Sequence, residues 1–234
     1  MKMLYIRIYK LVLTLLPVIA LCGLIVICNA MNNEPLSSKV IIIDAGHGGV
    51  DTGANRPGVN EKDINLAVAL HVKDVLNSYG AKVLLSRDSD IELSGFCDNS
   101  RVKGRYRKDL AARLEMVEES DADIFISIHA NSSTSTKKRG AECFYYAKSE
   151  SGKALANSIQ AALHSEIAGA SKANPGDYFV LRRNQKPAVL IEVGYITNLE
   201  EMTLLKSPDY QRKVAEAIAN GILNYYHEHQ APSE

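Results

Sequence analysis

Two histidines and two glutamates in this chain stand where chemistry is commonly done. His47 lies in the run Asp44-Ala45-Gly46-His47-Gly48-Gly49, directly after an apolar stretch. His129 follows the apolar run Ile124 to Ile128 without a break, Glu192 closes the run Ala188 to Ile191, and Glu61 opens a helical pattern. Two imidazoles and one carboxylate are enough to hold a catalytic zinc ion with one position open to water. The other carboxylate is then available as a general base. Glycines around His47 let the backbone turn sharply and approach a ligand closely. Taken singly, each residue has a plainer reading. A histidine at a strand end is commonly a hydrogen-bonded structural residue, and Glu61 suits the positive end of a helix dipole. The glycine-rich turn could cradle a phosphate, although the GKS or GKT ending of a P-loop is missing. Glu192, set among Val189, Leu190, Ile191 and Val193, is harder to dismiss: a carboxylate there needs an ion-pair partner or a metal. Joint placement of all four at the ends of apolar elements favours the metal.

The elements that must position them alternate. Val40 to Asp44 is a continuous apolar run ending in a turn and reads as a buried strand. Asn60 to Tyr79 carries Ile64, Val68, Val72, Val75, Leu76 and Tyr79 on one helical face, with Asn60 as N-cap and Gly80 as stop. Lys82 to Leu85 reads as a strand, Ser86 to Gly104 as a long polar loop and Arg107 to Glu119 as a helix. Strands follow over Ile124 to Ile128 and Ala141 to Tyr146, then a helix over Ser151 to Ile167. Tyr178 to Leu181 and Ala188 to Val193 read as strands, and Ser207-Pro208 caps a final helix through Val214, Ile218, Ile222 and Tyr225. This alternation predicts an α/β fold: a single domain whose largely parallel or mixed sheet is flanked by helices on both faces. Such sheets place their sites beyond the carboxyl ends of strands, which puts the metal at the sheet edge.

Bulk features narrow the surroundings. The chain has 27 basic and 27 acidic residues, a balance that weighs against a nucleic-acid partner. Lys2, Arg7 and Lys10 precede an apolar stretch from Leu11 to Cys28, the pattern of an export signal whose length borders on a membrane span. Residues 1–30 therefore read as a signal peptide or membrane anchor, 31–38 as a linker and 39–230 as the catalytic domain, facing the outside of the membrane. Cys28-Asn29-Ala30 suits cleavage after Ala30. Cys97 and Cys143 are the cysteines left for the folded part; sequence alone does not say whether they pair. Lys137-Lys138-Arg139 reads as a solvated loop.

The runs IIIDAGHGGVDTGA, EKDINLAVAL, DIFISIHANSS and VLIEVGYITNLEE resemble, in order and spacing, the zinc-dependent N-acetylmuramoyl-L-alanine amidases. The resemblance covers nearly everything from Lys39 to Tyr226. It implies His47, Glu61 and His129 as ligands of one zinc ion, Glu192 as the catalytic carboxylate, and peptidoglycan as substrate. Within that family the chain looks most like the germination-specific branch of spore formers, which removes peptide stems so that the cortex acquires muramic δ-lactam. The likeness lies in the length, the single apolar segment, the stretch Arg105 to Val117 and the C-terminal run from Thr203 to Leu223. A plugging helix carried by other members has no counterpart in the sequence, which suggests an open groove or control by a separate protein partner.

Three further polar residues are candidates for support. Asn65, four residues after Glu61, shares its helix face and is a candidate to orient that carboxylate or touch substrate. Asp44 is placed to hold an imidazole N–H behind the metal. Arg87, after the second strand, is a candidate for a stem carboxylate, against an ordinary surface ion pair. Competing functions are a zinc peptidase cutting within the stem, disfavoured by the absence of HExxH, and a wall-binding protein without catalysis, disfavoured by the intact set of four residues.

Overall fold

Val40, Ile41, Ile42 and Ile43 are four β-branched residues in a row, a run that suits a pleated, doubly covered strand. A computed structural model, which describes residues 34–167, 169 and 172–229, places them in β1 (Val40–Ala45), one strand in from the edge of a six-stranded sheet. The following elements are the hairpin β2 (Asn55–Arg56) and β3 (Val59–Asn60), α1 (Glu61–Ser78), β4 (Lys82–Leu85), α2 (Arg105–Glu119), β5 (Ile124–Asn131) and β6 (Glu142–Tyr145). Then come α3 (Glu150–Glu166), β7 (Asn174–Pro175), α4 (Phe179–Arg182), β8 (Ala188–Tyr195), α5 (Leu199–Leu205) and α6 (Pro208–His229). The sheet order is β4-β1-β5-β8-β6-β7. The first four strands run parallel, whereas β6 pairs antiparallel with β8. The sheet is thus mixed, with helices on both faces, as the alternation of elements predicts.

Register sorts the side chains into two layers. Ile41, Ile43, Ile126, Ile128, Val189 and Ile191 join the large core that also holds residues of α1, α3 and α6. Ile42, Phe125 and Leu190 point the other way and pack with Val117 of α2 and with Val180 and Leu181 of α4. Side chains alternate along a strand, so Asp44, Ser127, His129 and Glu192 also belong to this second face. The pairs Asp44↔Ser127 and His129↔Glu192 lie side by side in the ladder. The shorter helices α2 and α4 cover that face, and the polar residues collect where they do so.

Several sequence-based boundaries move. Tyr178 to Leu181 is not a strand: Leu181 and Arg182 donate their N–H groups to Tyr178 O at 3.1 and 2.9 Å, winding one helical turn as α4. A four-residue apolar run is too short for periodicity to separate the two. The loop after β4 contains a 3₁₀ turn at Ser94–Phe96. Helix α5, unforeseen, is capped by Asn198, whose side chain accepts from the N–H groups of Glu200 and Glu201. The folded unit begins at Leu36, which is fully buried and donates to Tyr79 O at 3.0 Å, so the stretch read as linker is already anchored before Ser38. The expected signal or anchor at 1–30, residues 31–33 of the linker and residue 230 lie outside the described residues. Among the described residues no helix is long and apolar enough to cross a membrane. Cys97 and Cys143 are both free thiols, the second buried.

Candidate metal centre

His47 hangs from the turn after β1, in the left-handed region at φ 62°, a conformation uncommon for a residue with a Cβ and often kept at functional sites. Its Nδ1 faces Asp51 Oδ2 at 2.8 Å, and its Nε2 lies 3.2 Å from Glu61 Oε1. Glu61 is the first residue of α1, delivered there by the β2–β3 hairpin. The same Oε1 meets His129 Nδ1 at 2.8 Å, and Oε2 accepts the N–H of Ala54 at 2.8 Å. His129 sits near the end of β5, its ring edge-on to that of His47 with centroids 4.9 Å apart. One ligand atom from each of His47, Glu61 and His129 lies within 4.8 Å of the others. Two nitrogens and one oxygen converging on a half-buried point suit a first-row cation such as zinc.

The electrostatics follow from this crowding. Burial would lower the His47 imidazole, but Glu61 and Asp51 outweigh it and hold it up at about 9. Burial would raise Glu61, yet the two histidines keep it well below the usual carboxylate range. Glu192 feels the same two histidines, but burial outweighs their pull. It is 9 % exposed, burial pushes it up to about 7, and its Oε2 has no hydrogen-bond partner.

The supporting residues sort differently from the sequence-based expectation. Asn65 is fully buried and its Nδ2 donates to Gly46 O at 3.1 Å and Glu61 Oε1 at 3.3 Å, so it braces Glu61 rather than meeting substrate. Asp44 does not hold an imidazole. It pairs with the Arg113 guanidinium and accepts from Ser127 Oγ at 2.7 Å, because a carboxylate this deep on the α2 face needs a full countercharge. Asp51 occupies the role expected of Asp44. Arg87 is neither a groove residue nor a surface ion pair. It is buried, and donates to the carbonyls of Ala45 (2.9 Å), Gly46 (3.1 Å), Lys62 (2.8 Å) and Ser89 (3.1 Å), tying the His47 turn to α1.

Sequence reasoning missed Arg113. Its Nε donates to Asp109 Oδ2 at 2.9 Å, and its amino groups donate to Ala45 O at 3.2 Å and His47 O at 3.0 Å. The Asp109–Arg113 spacing of one helical turn, and the need of Asp44 for a partner, were the available signals. Above these residues opens a groove of about 280 Å³, lined by His47, Glu61, His129 and Glu192, by Tyr106 and Leu110 of α2, and by Phe179 of α4, among others.

Comparison with known proteins places the chain in a family. The family model described as N-acetylmuramoyl-L-alanine amidase matches residues 41–224. The germination-specific N-acetylmuramoyl-L-alanine amidase of Bacillus subtilis is 40% identical over 204 residues, covering 86% of this chain and 85% of the relative. Among solved structures, the CwlD amidase of Clostridioides difficile in complex with the GerS lipoprotein superposes with a TM-score of 0.76 at 36% identity, covering 82% of this chain and 100% of that one. The catalytic domain of CwlV, an amidase of Bacillus (Paenibacillus) polymyxa var. colistinus, gives 0.70 at 35% identity, covering 81% of this chain and 98% of that one.

Proposed function

Because the chain belongs to the N-acetylmuramoyl-L-alanine amidase family, we propose that this peptidoglycan amidase depends on a zinc ion held by His47, Glu61 and His129, with Glu192 as its general base. The observation that carries the assignment is the pairing of His129 with Glu192 across β5 and β8. It sets a buried carboxylate oxygen without a partner beside a convergent donor set of two imidazoles and one carboxylate.

Zinc at these residues would supply a Lewis acid and bring the pKa of water down to about 7. Glu192, raised to about 7 by burial, is matched to that task. It accepts a proton from the attacking water and returns it to the departing amine of L-alanine. Asp51 fixes the ring of His47 through Nδ1, and Asn65 with the N–H of Ala130 (3.3 Å) fixes Glu61, so the donor atoms are oriented before a metal arrives.

The natural setting of this reading is the outside of the membrane, reached through the N-terminal apolar segment as signal or anchor. The spore cortex, with muramic δ-lactam as the final product, is the substrate we favour on the strength of the germination-specific relative. A protein partner that activates the enzyme fits the neighbour solved with a lipoprotein.

The test incubates zinc-loaded protein with peptidoglycan from vegetative cells and from cortex, and reads the released fragments by mass spectrometry. Intact stems beginning with L-alanine, absent with Glu192→Ala although zinc is retained, support the assignment. Normal turnover by Glu192→Ala removes Glu192 as base. Fragments cut within the stem move the chain to the peptidases.

A further inference from the structure

The bond cut by an N-acetylmuramoyl-L-alanine amidase has a sugar on one side and a peptide on the other. The groove over the metal centre is likewise two-sided. Residues of α2 and α4 line it with Tyr106, Leu110, Phe179 and Val180, and the end of β5 and the residue after it line it with Asn131 and Ser132. The exposed aromatic side chains among the described residues are Phe96, Tyr106 and, less so, Phe179, and two of these three line the groove. Tyr106 is 62 % exposed and Phe179 36 %.

The elements that carry these rings are anchored beside them. Tyr106 occupies the first turn of α2, with Leu110 and Arg113 on the same helical stripe, and Arg113 is locked by its ion pairs. Phe179 opens α4 next to Tyr178, whose ring packs edge-on against Phe144 with centroids 5.4 Å apart. Aromatic faces left in solvent beside a reaction centre suit the C–H face of a pyranose, which is apolar while its hydroxyl rim stays wet. The amide and hydroxyl groups of Asn131 and Ser132 at the end of β5 suit peptide backbone.

We propose that the Tyr106–Phe179 rim is the glycan subsite, taking a sugar ring of the strand, and that the peptide stem leaves past Asn131 and Ser132. This orientation rests on the amidase reading above. The β5–β6 loop continues from Ser132 to the exposed Lys137 and Lys138, at most about 22 Å further along the chain, a span that a stem bearing free carboxylates can cover.

The experiment uses the full chain loaded with zinc, in wild-type form and as Tyr106→Ala, Phe179→Ala and Tyr106→Phe. Saturation-transfer NMR measures binding of glycan oligosaccharides lacking stems and, separately, of free stem peptide. Steady-state kinetics uses stems attached to glycan. Each alanine variant is expected to weaken glycan binding and raise KM by about tenfold, a loss of one decade in affinity, with the change in KM exceeding that in kcat. Free stem peptide should bind all variants alike, and Tyr106→Phe should recover most of the loss. Both side chains are exposed, and circular dichroism checks that the fold is kept. Unchanged glycan binding in both alanine variants overturns the orientation, as does a loss that falls on the free stem peptide. Turnover by wild type with no effect in the variants leaves the amidase reading standing and removes the rim; rim-dependent glycan binding without turnover does the reverse.

Discussion

Removing the guanidinium of Arg113 should weaken the fold and the metal centre together. Arg113 is 2 % exposed and faces Asp44, which is 1 % exposed, and Asp109. Breaking one partner out of a buried ion pair costs about 3–5 kcal/mol, because the remaining charge is left without compensation. For a domain of this size each kcal/mol moves Tm by about 2–4 °C, so Arg113→Ala should melt roughly 10 °C lower. The chain has no tryptophan, so urea unfolding is best followed by circular dichroism. The diagnostic companion is Arg113→Met with Asp44→Asn, which removes the charge stranded at the deeper Asp44, leaves only the less buried Asp109 without its partner, and should recover at least half of the loss. Burial would raise Asp44, but Arg113 and the hydroxyls of Ser127 and Ser86 hold it below its ordinary value. The stability it contributes is therefore present above the unfolded pKa of about 3.9 and lost as pH falls through the lower folded value. The gap between wild type and the double variant should accordingly narrow in acid. A loss under about 1 kcal/mol in Arg113→Ala, or a double variant no better than the single one, refutes the ion-pair argument.

The metal-free His47 should carry its proton up to about pH 9, and a ligand imidazole must be neutral, so zinc affinity should fall about tenfold per pH unit below that point with release of one proton. Calorimetry in buffers of different ionisation enthalpy reads this directly, and no proton release at pH 7 contradicts it. The folded value lies above the unfolded 6.5, so in chelator-treated protein this group stabilises fully below about pH 6.5 and the contribution fades as pH rises through about 9. Asp51→Asn loses the carboxylate that orients His47 Nδ1 and should weaken zinc by about 10–100-fold, with little change in urea midpoint; competition against a chromogenic chelator measures it. Gly46→Ala would drive a Cβ into the His129 ring, so zinc content should collapse while the far-ultraviolet spectrum stays native.

Residues that answer to local rules are legible in the sequence alone. His47, Glu61, His129 and Glu192 each terminate or begin an apolar element, and the sheet rule sends such positions to one edge. The strands of the parallel core are equally plain, since runs such as Val40 to Ile43 have few alternatives. What the chain does not show is pairing across distance. Arg113 meets Asp44 through packing of α2 on β1, and helical periodicity gives no hint of which strand residue it will reach. Asp44 and Asp51 are both near His47 in sequence, and their separate roles depend on the direction of a turn whose His47 sits at positive φ. Arg87 carries no mark that its donors end on backbone carbonyls. The single turn of α4 is misread as a strand because four apolar residues fit either period.

The parallel ladder β1-β5-β8 also sets an order of events in time. Its pairings join residues as remote as Ile43 with Ile126 and Ile128 with Ile191, and contacts of that kind form late because long loops must close first. Asp51, Glu61 and the His47 turn are neighbours and can gather early, whereas Glu192 arrives only when β8 docks against β5. A chain interrupted before β8 would expose one side of β5 and lack Glu192, the carboxylate proposed to move the proton. The last strand to join the ladder thus delivers the carboxylate proposed as general base, so on that reading a growing chain stays inert towards its substrate until the fold that contains it is closed.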